Sequence, residues 1–210
     1  MEYKTPWISI WFNPRATLRS ILATHPKRSL WVLSSIFGLT ELLNFFQSLA
    51  LGLWLNGWAI LVLALLFAPW VGYALIAMWS WLLLHIGHWL KGKGDFASIR
   101  AAYAWSCVPL LGTLPIWFLI FILFGERLFI NFPQEPSLNL LGSSTLFLLL
   151  TGRLLFVTWA LVLYFIGLSE VHRFSMIRSI CTIAIAGVAV SLVSGCFWFG
   201  LFMLFTQGSP

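Results

Sequence analysis

An all-α membrane protein is predicted, with five transmembrane helices, an N-terminal interfacial amphipathic helix and a cytoplasmic N-terminus. Three observations predict it. Only 9% of the 210 residues are charged and 60% are hydrophobic, whereas a soluble domain carries about 25% charged residues. Five apolar runs are each long enough to cross a hydrocarbon core of about 30 Å. The lead and connections carry their basic residues predominantly on one side of the membrane, the pattern of a positive-inside protein.

Composition also excludes several classes. Mean hydropathy is +0.95, and thirteen Trp and nineteen Phe supply aromatic anchors of the kind that sit at bilayer interfaces. The net charge of +6 comes from short segments that flank apolar runs. Orientation and anionic lipid headgroups explain such segments better than nucleic acid does. Cys107, Cys181 and Cys196 all fall in apolar runs, and no CxxC occurs. That argues against a disulfide framework and a zinc motif. No HExxH, GxSxG or GxxxxGK[ST] is present, so no catalytic site and no cofactor are expected. A charged, Pro-containing stretch of 28 residues precedes the first apolar run. It is too long for a signal-peptide n-region, and the first helix is expected to stay as an anchor.

Residues 1–28 form the lead. Asn13-Pro14 reads as an N-cap followed by Pro at the first helical position, and Pro26 ends the helix near His25. Leu18, Ile21 and Leu22 share one face, opposite Arg15, Arg19 and Ser20. Trp7, Trp11 and Phe12 are read as headgroup-level anchors of an interfacial helix. The alternative is a tail with no stable structure, since eleven residues make a marginal helix alone.

The transmembrane domain covers residues 29–206, with helices at about 29–51, 58–90, 96–124, 144–166 and 179–205, and a neutral tail at 207–210. The second is about 50 Å long, so it must tilt, kink or project. Pro69 is the expected kink. Splitting at Pro69 into a hairpin is the alternative, but the first arm would be too short to span. Ala64, Ala68 and Gly72 are spaced by four, a small-residue stripe for close packing. Lys91-Gly92-Lys93-Gly94 turns the chain, and Asp95 caps the third helix. Pro109 and Pro115 make that helix a broken one. Residues 125–143, with Glu126, Arg127, Glu135 and two prolines, form an outer loop. In the last helix Gly187, Ser191 and Gly195 share a packing face.

The connection Gly167-Leu168-Ser169-Glu170-Val171-His172-Arg173-Phe174-Ser175-Met176-Ile177-Arg178 joins the last two helices. The basic residues test the arrangement. Lys4, Arg15, Arg19, Lys27, Arg28, Lys91, Lys93, Arg100, Arg173 and Arg178 all fall on the predicted inner side. Arg127 falls outside and Arg153 within the fourth helix. Five crossings then place the C-terminus outside. No repeat of fixed period and no low-complexity tract is seen.

Three segments resemble the Yip1 family of polytopic membrane proteins. Trp11-Phe12-Asn13-Pro14-Arg15-Ala16-Thr17-Leu18-Arg19 is similar to the opening segment of bacterial members. Gly94-Asp95-Phe96, Arg100-Ala101-Ala102-Tyr103-Ala104 and Pro109 resemble the start of the family's third helix. Gly167-Leu168, Glu170-Val171-His172 and Phe174-Ser175 resemble its turn between the fourth and fifth helices. The resemblance implies a five-helix fold without enzymatic activity. Eukaryotic members act in traffic from endoplasmic reticulum to Golgi and associate with prenylated Rab GTPases and with one another. The longer cytoplasmic lead of those members, with its Asp-Leu-Tyr-Gly-Pro-like motif, is not found here, so GTPase binding is not carried over. A short lead of the bacterial type implies the bacterial inner membrane.

Glu41 and Arg153 carry the sharpest chemical signal, since each lies inside a predicted span. A mid-membrane charge costs about 2.5–3.5 kcal/mol on insertion scales. Glu41 lies about 18 Å from the inner end and Arg153 about 13 Å from the outer end. In a core of about 30 Å those depths match, so an intramembrane ion pair is expected. The alternative is an outward-snorkelling Arg153 and a protonated Glu41. Asn44, Gln47 and Asn56 extend the polar line. His85 and His88 share a helix face, and His25, His172 and Glu170 lie on the same predicted side. They lack a ligand-spacing signature, so helix capping is preferred to metal binding. Asp95 and Glu170 read as capping or turn-pairing groups. Arg15, Arg19, Lys91, Lys93, Arg100, Arg173 and Arg178 are the expected contacts to lipid headgroups or a partner.

Function is therefore expected to be non-enzymatic: organisation of partner proteins or lipids at the cytoplasmic face, with membrane lipids and a second copy or another membrane protein as partners. The rival is a small-solute transporter or channel that uses Glu41, Arg153 and the broken third helix.

Overall fold

The computed structural model describes residues 6–24, 27, 29–130 and 140–207. Expectations for Lys4, His25, Pro26, Arg28, residues 131–139 and the tail after Gln207 lie outside the described residues. Eight α-helices occur among the described residues. They are α1 Pro6–Phe12, α2 Pro14–Thr24, α3 Leu30–Ser48, α4 Gly57–Trp89, α5 Phe96–Ser106, α6 Thr113–Phe124, α7 Leu140–His172 and α8 Met176–Gln207. Within them are five spans long and apolar enough to cross a membrane, with α5 and α6 together making the third.

The lead departs from the expectation. A helix not foreseen, α1, precedes α2, and the apolar face of α2 turns onto protein. Thr17, Leu18 and Ile21 are buried, and Ile10 of α1 is buried with them. The Trp7 ring meets Trp105 of α5 at 5.4 Å, and Trp11 meets Phe156 of α7 at 6.3 Å edge-on. Trp7 and Trp11 are thus packed rings; Phe12 stays exposed.

The tightest helix pair is α3 with α4. A Cβ on Gly72 would lie 1.8 Å from the Ser34 carbonyl oxygen, and one on Gly38 would lie 2.1 Å from the Ala68 carbonyl oxygen. Only hydrogen fits, so the two backbones touch. Ala64, Ala68 and Gly72 are all buried, and Gly38 is the α3 partner that their spacing did not name. Apolar lipid offers helices no hydrophobic drive to associate, so such close van der Waals contact is what joins them. The α4 helix runs unbroken through Pro69, which excludes a hairpin split there. Proline lacks the N–H that the Leu65 carbonyl would accept.

The third span breaks at Pro109. A 3-10 segment, Val108–Gly112, separates α5 from α6. Its side chains Val108 and Leu110 are buried in the core around Trp105 and Leu33. Pro115 breaks nothing: it stands in the first turn of α6, where no intrahelical N–H bond is needed. A second core joins α3, α4, α6 and the 3-10 segment Gly125–Phe129 through Leu43, Ile60, Trp117 and Phe129. A third joins α4, α5, α7 and α8 through Leu83, Ile99, Leu168 and Ala186. Leu65, Trp70, Phe118, Ile122, Leu154 and Leu155 face outward, as a lipid-exposed surface requires.

The last connection is shorter than its composition suggests. Helix α7 continues through Glu170 to His172, and α8 starts at Met176. Residues 167–172 stay helical because Leu168, Val171 and His172 are buried against the bundle.

Candidate functional site

Polar chemistry gathers where α2, the end of α4, the start of α5, the end of α7 and the start of α8 meet. Two helix ends there close in the same way. At the end of α4, the Lys91 N–H donates to the His88 carbonyl at 2.9 Å and the Gly92 N–H to the Gly87 carbonyl at 2.8 Å. At the end of α7, the Phe174 N–H reaches the Ser169 carbonyl at 3.3 Å. These are Schellman closures, which need a left-handed residue after the cap. Lys91 and Arg173 take that conformation, with φ of 64° and 55°. Glycine is the usual occupant, and a side chain there costs about 1–2 kcal/mol. A basic residue after a helix C-terminus recovers part of that from the macrodipole.

His172 fastens the two turns together. Its ring is buried in a socket made by three glycines. A Cβ would come within 2.2 Å of the ring at Gly87 and at Gly92, and within 3.1 Å at Gly94. The Gly94 N–H donates to His172 Nδ1 at 3.3 Å, and the Lys93 N–H donates to the His172 carbonyl at 3.3 Å. With Nδ1 accepting, the neutral ring carries its proton on Nε2, which has no hydrogen-bond partner among the described residues. Phe174 stacks on the ring at 4.9 Å. His88 bonds the Gly94 carbonyl at 2.8 Å. His85 turns away to the Trp81 carbonyl at 2.8 Å. Among the described residues no three His, Cys, Asp or Glu side chains gather as a metal-ligand set.

The socket holds Lys93 and Asp95 beside Arg173. Asp95 Oδ2 accepts from the Ser98 N–H at 3.1 Å and caps α5. Hydrogen bonding from Ser98 holds its carboxyl below the usual aspartate value. Glu170 binds α2 to α7: Arg19 donates to Oε2 from Nε at 3.2 Å and from Nη2 at 2.7 Å, and Arg15 lies 3.7 Å from Oε1. A carboxylate in the last turn of a helix opposes the macrodipole, and these two guanidinium groups offset it. Between α2 and the two turns lies a cavity of about 1000 Å³, lined by Arg15, Arg19, Lys93 and Arg173 among others.

The other basic residues named from the sequence do not line it. Arg100 donates to the Tyr73 hydroxyl at 2.8 Å and lies over the Tyr73 and Phe96 rings. Lys91 and Arg178 are exposed. Mid-bundle, Arg153 donates to Asn44 Oδ1 and lies 4.5 Å over the Trp117 ring. Glu41 and Arg153 act on each other electrostatically, but the ion pairs within 4.0 Å among the described residues are those of Glu170. The direct Glu41–Arg153 pair is therefore replaced by Asn44 as the neutral partner of Arg153. A Cβ on Gly187 or Gly195 would meet nothing within 4 Å, and Ser191 is exposed. That stripe is not an internal packing face.

Sequence reasoning missed the socket. Its signal was three glycines at 87, 92 and 94, two of which were read as turn formers alone. It missed Asn44 as the Arg153 partner, although that residue stands three after Glu41.

Five apolar spans with a cluster of polar groups at one end define a polytopic α-helical membrane protein. The family is also identified: the Yip1 domain matches residues 8–199, nearly the whole chain, and the protein belongs to the Yip1 family. No curated protein and no solved structure matches it.

Proposed function

We propose that this Yip1-family protein is a non-enzymatic organiser of partner proteins or lipids, working at the cytoplasmic face of a bacterial inner membrane. The observation that carries the reading is the convergence of Arg15, Arg19, Lys93 and Arg173 on one cavity at the basic end. Positive-inside asymmetry supports a cytoplasmic position for that end. The α8 face with Ser191 and Gly195 exposed is left for a helix from a second copy or another membrane protein. Transport has less support. Its two props were the broken third span and the intramembrane charges. Val108 and Leu110 fill the break, and Asn44 and Trp117 engage Arg153.

Two measurements test the reading. Single cysteines at Lys91 and Arg173, in a chain without Cys107, Cys181 and Cys196, should react with an impermeant maleimide only in inside-out vesicles. Labelling in right-side-out cells would invert the topology and sink the cytoplasmic assignment. A mild-detergent pull-down with mass spectrometry of protein and lipid should recover a stoichiometric partner or a selective lipid. Solute flux in proteoliposomes, with neither recovered, would favour transport instead.

A further inference from the structure

We infer that the cavity between α2 and the two turns is a binding site for a phosphate group, borne by an anionic phospholipid at the membrane surface or free in solution. The inference rests on the reading of the basic end as a ligand-organising face, and it names the ligand chemistry. Four cationic side chains reach the cavity from three separate segments: Arg15 and Arg19 from α2, Lys93 from the turn after α4, Arg173 from the turn after α7. Two carboxylates oppose them. Glu170 is held by Arg15 and Arg19, and Asp95 caps α5. The Lys93 and Arg173 side chains form no ion pair among the described residues. The lining therefore has an excess of two positive charges, the complement of a phosphate ester. A guanidinium fork and an ammonium are the side chains suited to phosphate oxygens.

The start of α8 borders the same space. Ser175 and Met176 line the cavity, and the Ser175 carbonyl accepts from Ser179 at 3.2 Å, so α8 begins there. The N–H groups of its first turn have no intrahelical acceptor, and the positive end of a 32-residue helix lies behind them. Arg173 is held beside them in a backbone conformation that favours glycine. Leu22, Phe174 and Met176 give the cavity an apolar wall. About 1000 Å³ is more than a bare phosphate fills, and a phosphate carried on a glycerol backbone would use that wall.

Plain orientation signals need no convergence. Lys91 and Arg178 show this, since they stand on the same end without lining the cavity, and they serve as controls. Purified full-length protein is placed in nanodiscs of phosphatidylcholine with one tenth phosphatidylglycerol, and the lipid retained after extraction is counted by native mass spectrometry. The wild type should retain phosphatidylglycerol over phosphatidylcholine. Lys93→Gln with Arg173→Gln should reduce that preference by about fivefold for each cation removed. Lys91→Gln with Arg178→Gln, the same change in net charge, should leave it intact. Millimolar inorganic phosphate separates the sources: displacement of the lipid assigns a soluble phosphate, and no displacement assigns the headgroup. A lysine-acetylation footprint of the wild type reads the site without substitution, with Lys93 shielded by phosphatidylglycerol and Lys91 not. No preference for phosphatidylglycerol, or an equal loss in both double variants, overturns the inference. Orientation and partner recovery are read separately, so such a result would leave the organiser reading standing.

Discussion

Gly72→Ala should be among the most damaging single-methyl changes in the protein. The added Cβ would lie 1.8 Å from the Ser34 carbonyl oxygen and 2.8 Å from the Gly38 nitrogen. Both are backbone atoms, so no rotamer change relieves the clash. Ordinary contact needs more than 3.4 Å, which requires α3 and α4 to part by roughly 1.5 Å at this level. A radial gap of about 1 Å already forfeits a quarter to a half of each dispersion contact. Overpacking of this kind costs about 3 kcal/mol, and the better helix propensity of Ala returns about 1. The net loss is about 2 kcal/mol, or roughly 4–8 °C in Tm for a chain of this size. The assay is thermal unfolding in detergent, followed by intrinsic fluorescence. Gly187→Ala is the control, because its Cβ meets nothing within 4 Å. It should melt at or above the wild-type temperature. Equal melting of Gly72→Ala and wild type, or equal losses in the two variants, would refute the close-contact argument.

Gly92→Ala should displace the His172 ring and lower Tm, and His172→Ala in the same chain should remove that clash; a double-mutant cycle should show coupling of about 1–2 kcal/mol. Asp95→Ala should cost about 1 kcal/mol through loss of the α5 cap, and Asp95→Asn much less. The folded Asp95 titrates below its unfolded value, so its stabilisation is present above the ordinary aspartate pKa and lost as pH falls through the folded one. Melts between pH 6 and 3 should therefore show a steeper decline for wild type than for Asp95→Asn. Glu170→Gln should loosen α2, seen as faster hydrogen exchange over residues 14–24, while global Tm falls by no more than about 1 kcal/mol equivalent because the arginines are exposed.

Hydropathy made the five spans legible, because they depend on length and apolar composition alone. Pro109 was legible as a break, since proline lacks a donor wherever it stands. Pro115 was not legible as harmless, because that depends on where α6 begins. The lead was half legible. Its period showed an apolar face on α2, but a period cannot say whether lipid or Trp105 and Phe156 will cover the neighbouring rings. The end of α7 was misjudged because Ser169, Glu170 and His172 look like a turn by composition; burial of Leu168 and Val171 keeps them helical. Glu41 and Arg153 were found by the cost of their charge, but depth along two helices does not fix the angle at which they face. That angle gives Arg153 to Asn44.

The docking of α2 on α7 has a consequence for biogenesis. Arg19 and its partner Glu170 are 151 residues apart in the chain. At about 5–20 residues per second, roughly 8–30 s separate the emergence of the two helices from the ribosome. During that interval Ile10, Leu18 and Ile21 have no seat on α7, and the first helices must wait at the membrane surface. The seat is completed only when the fourth span is inserted. A ribosome stalled before α7 should therefore leave residues 6–24 open to protease, and one released after α7 should leave them protected. The N-terminal helices would then report whether the fourth crossing has been made.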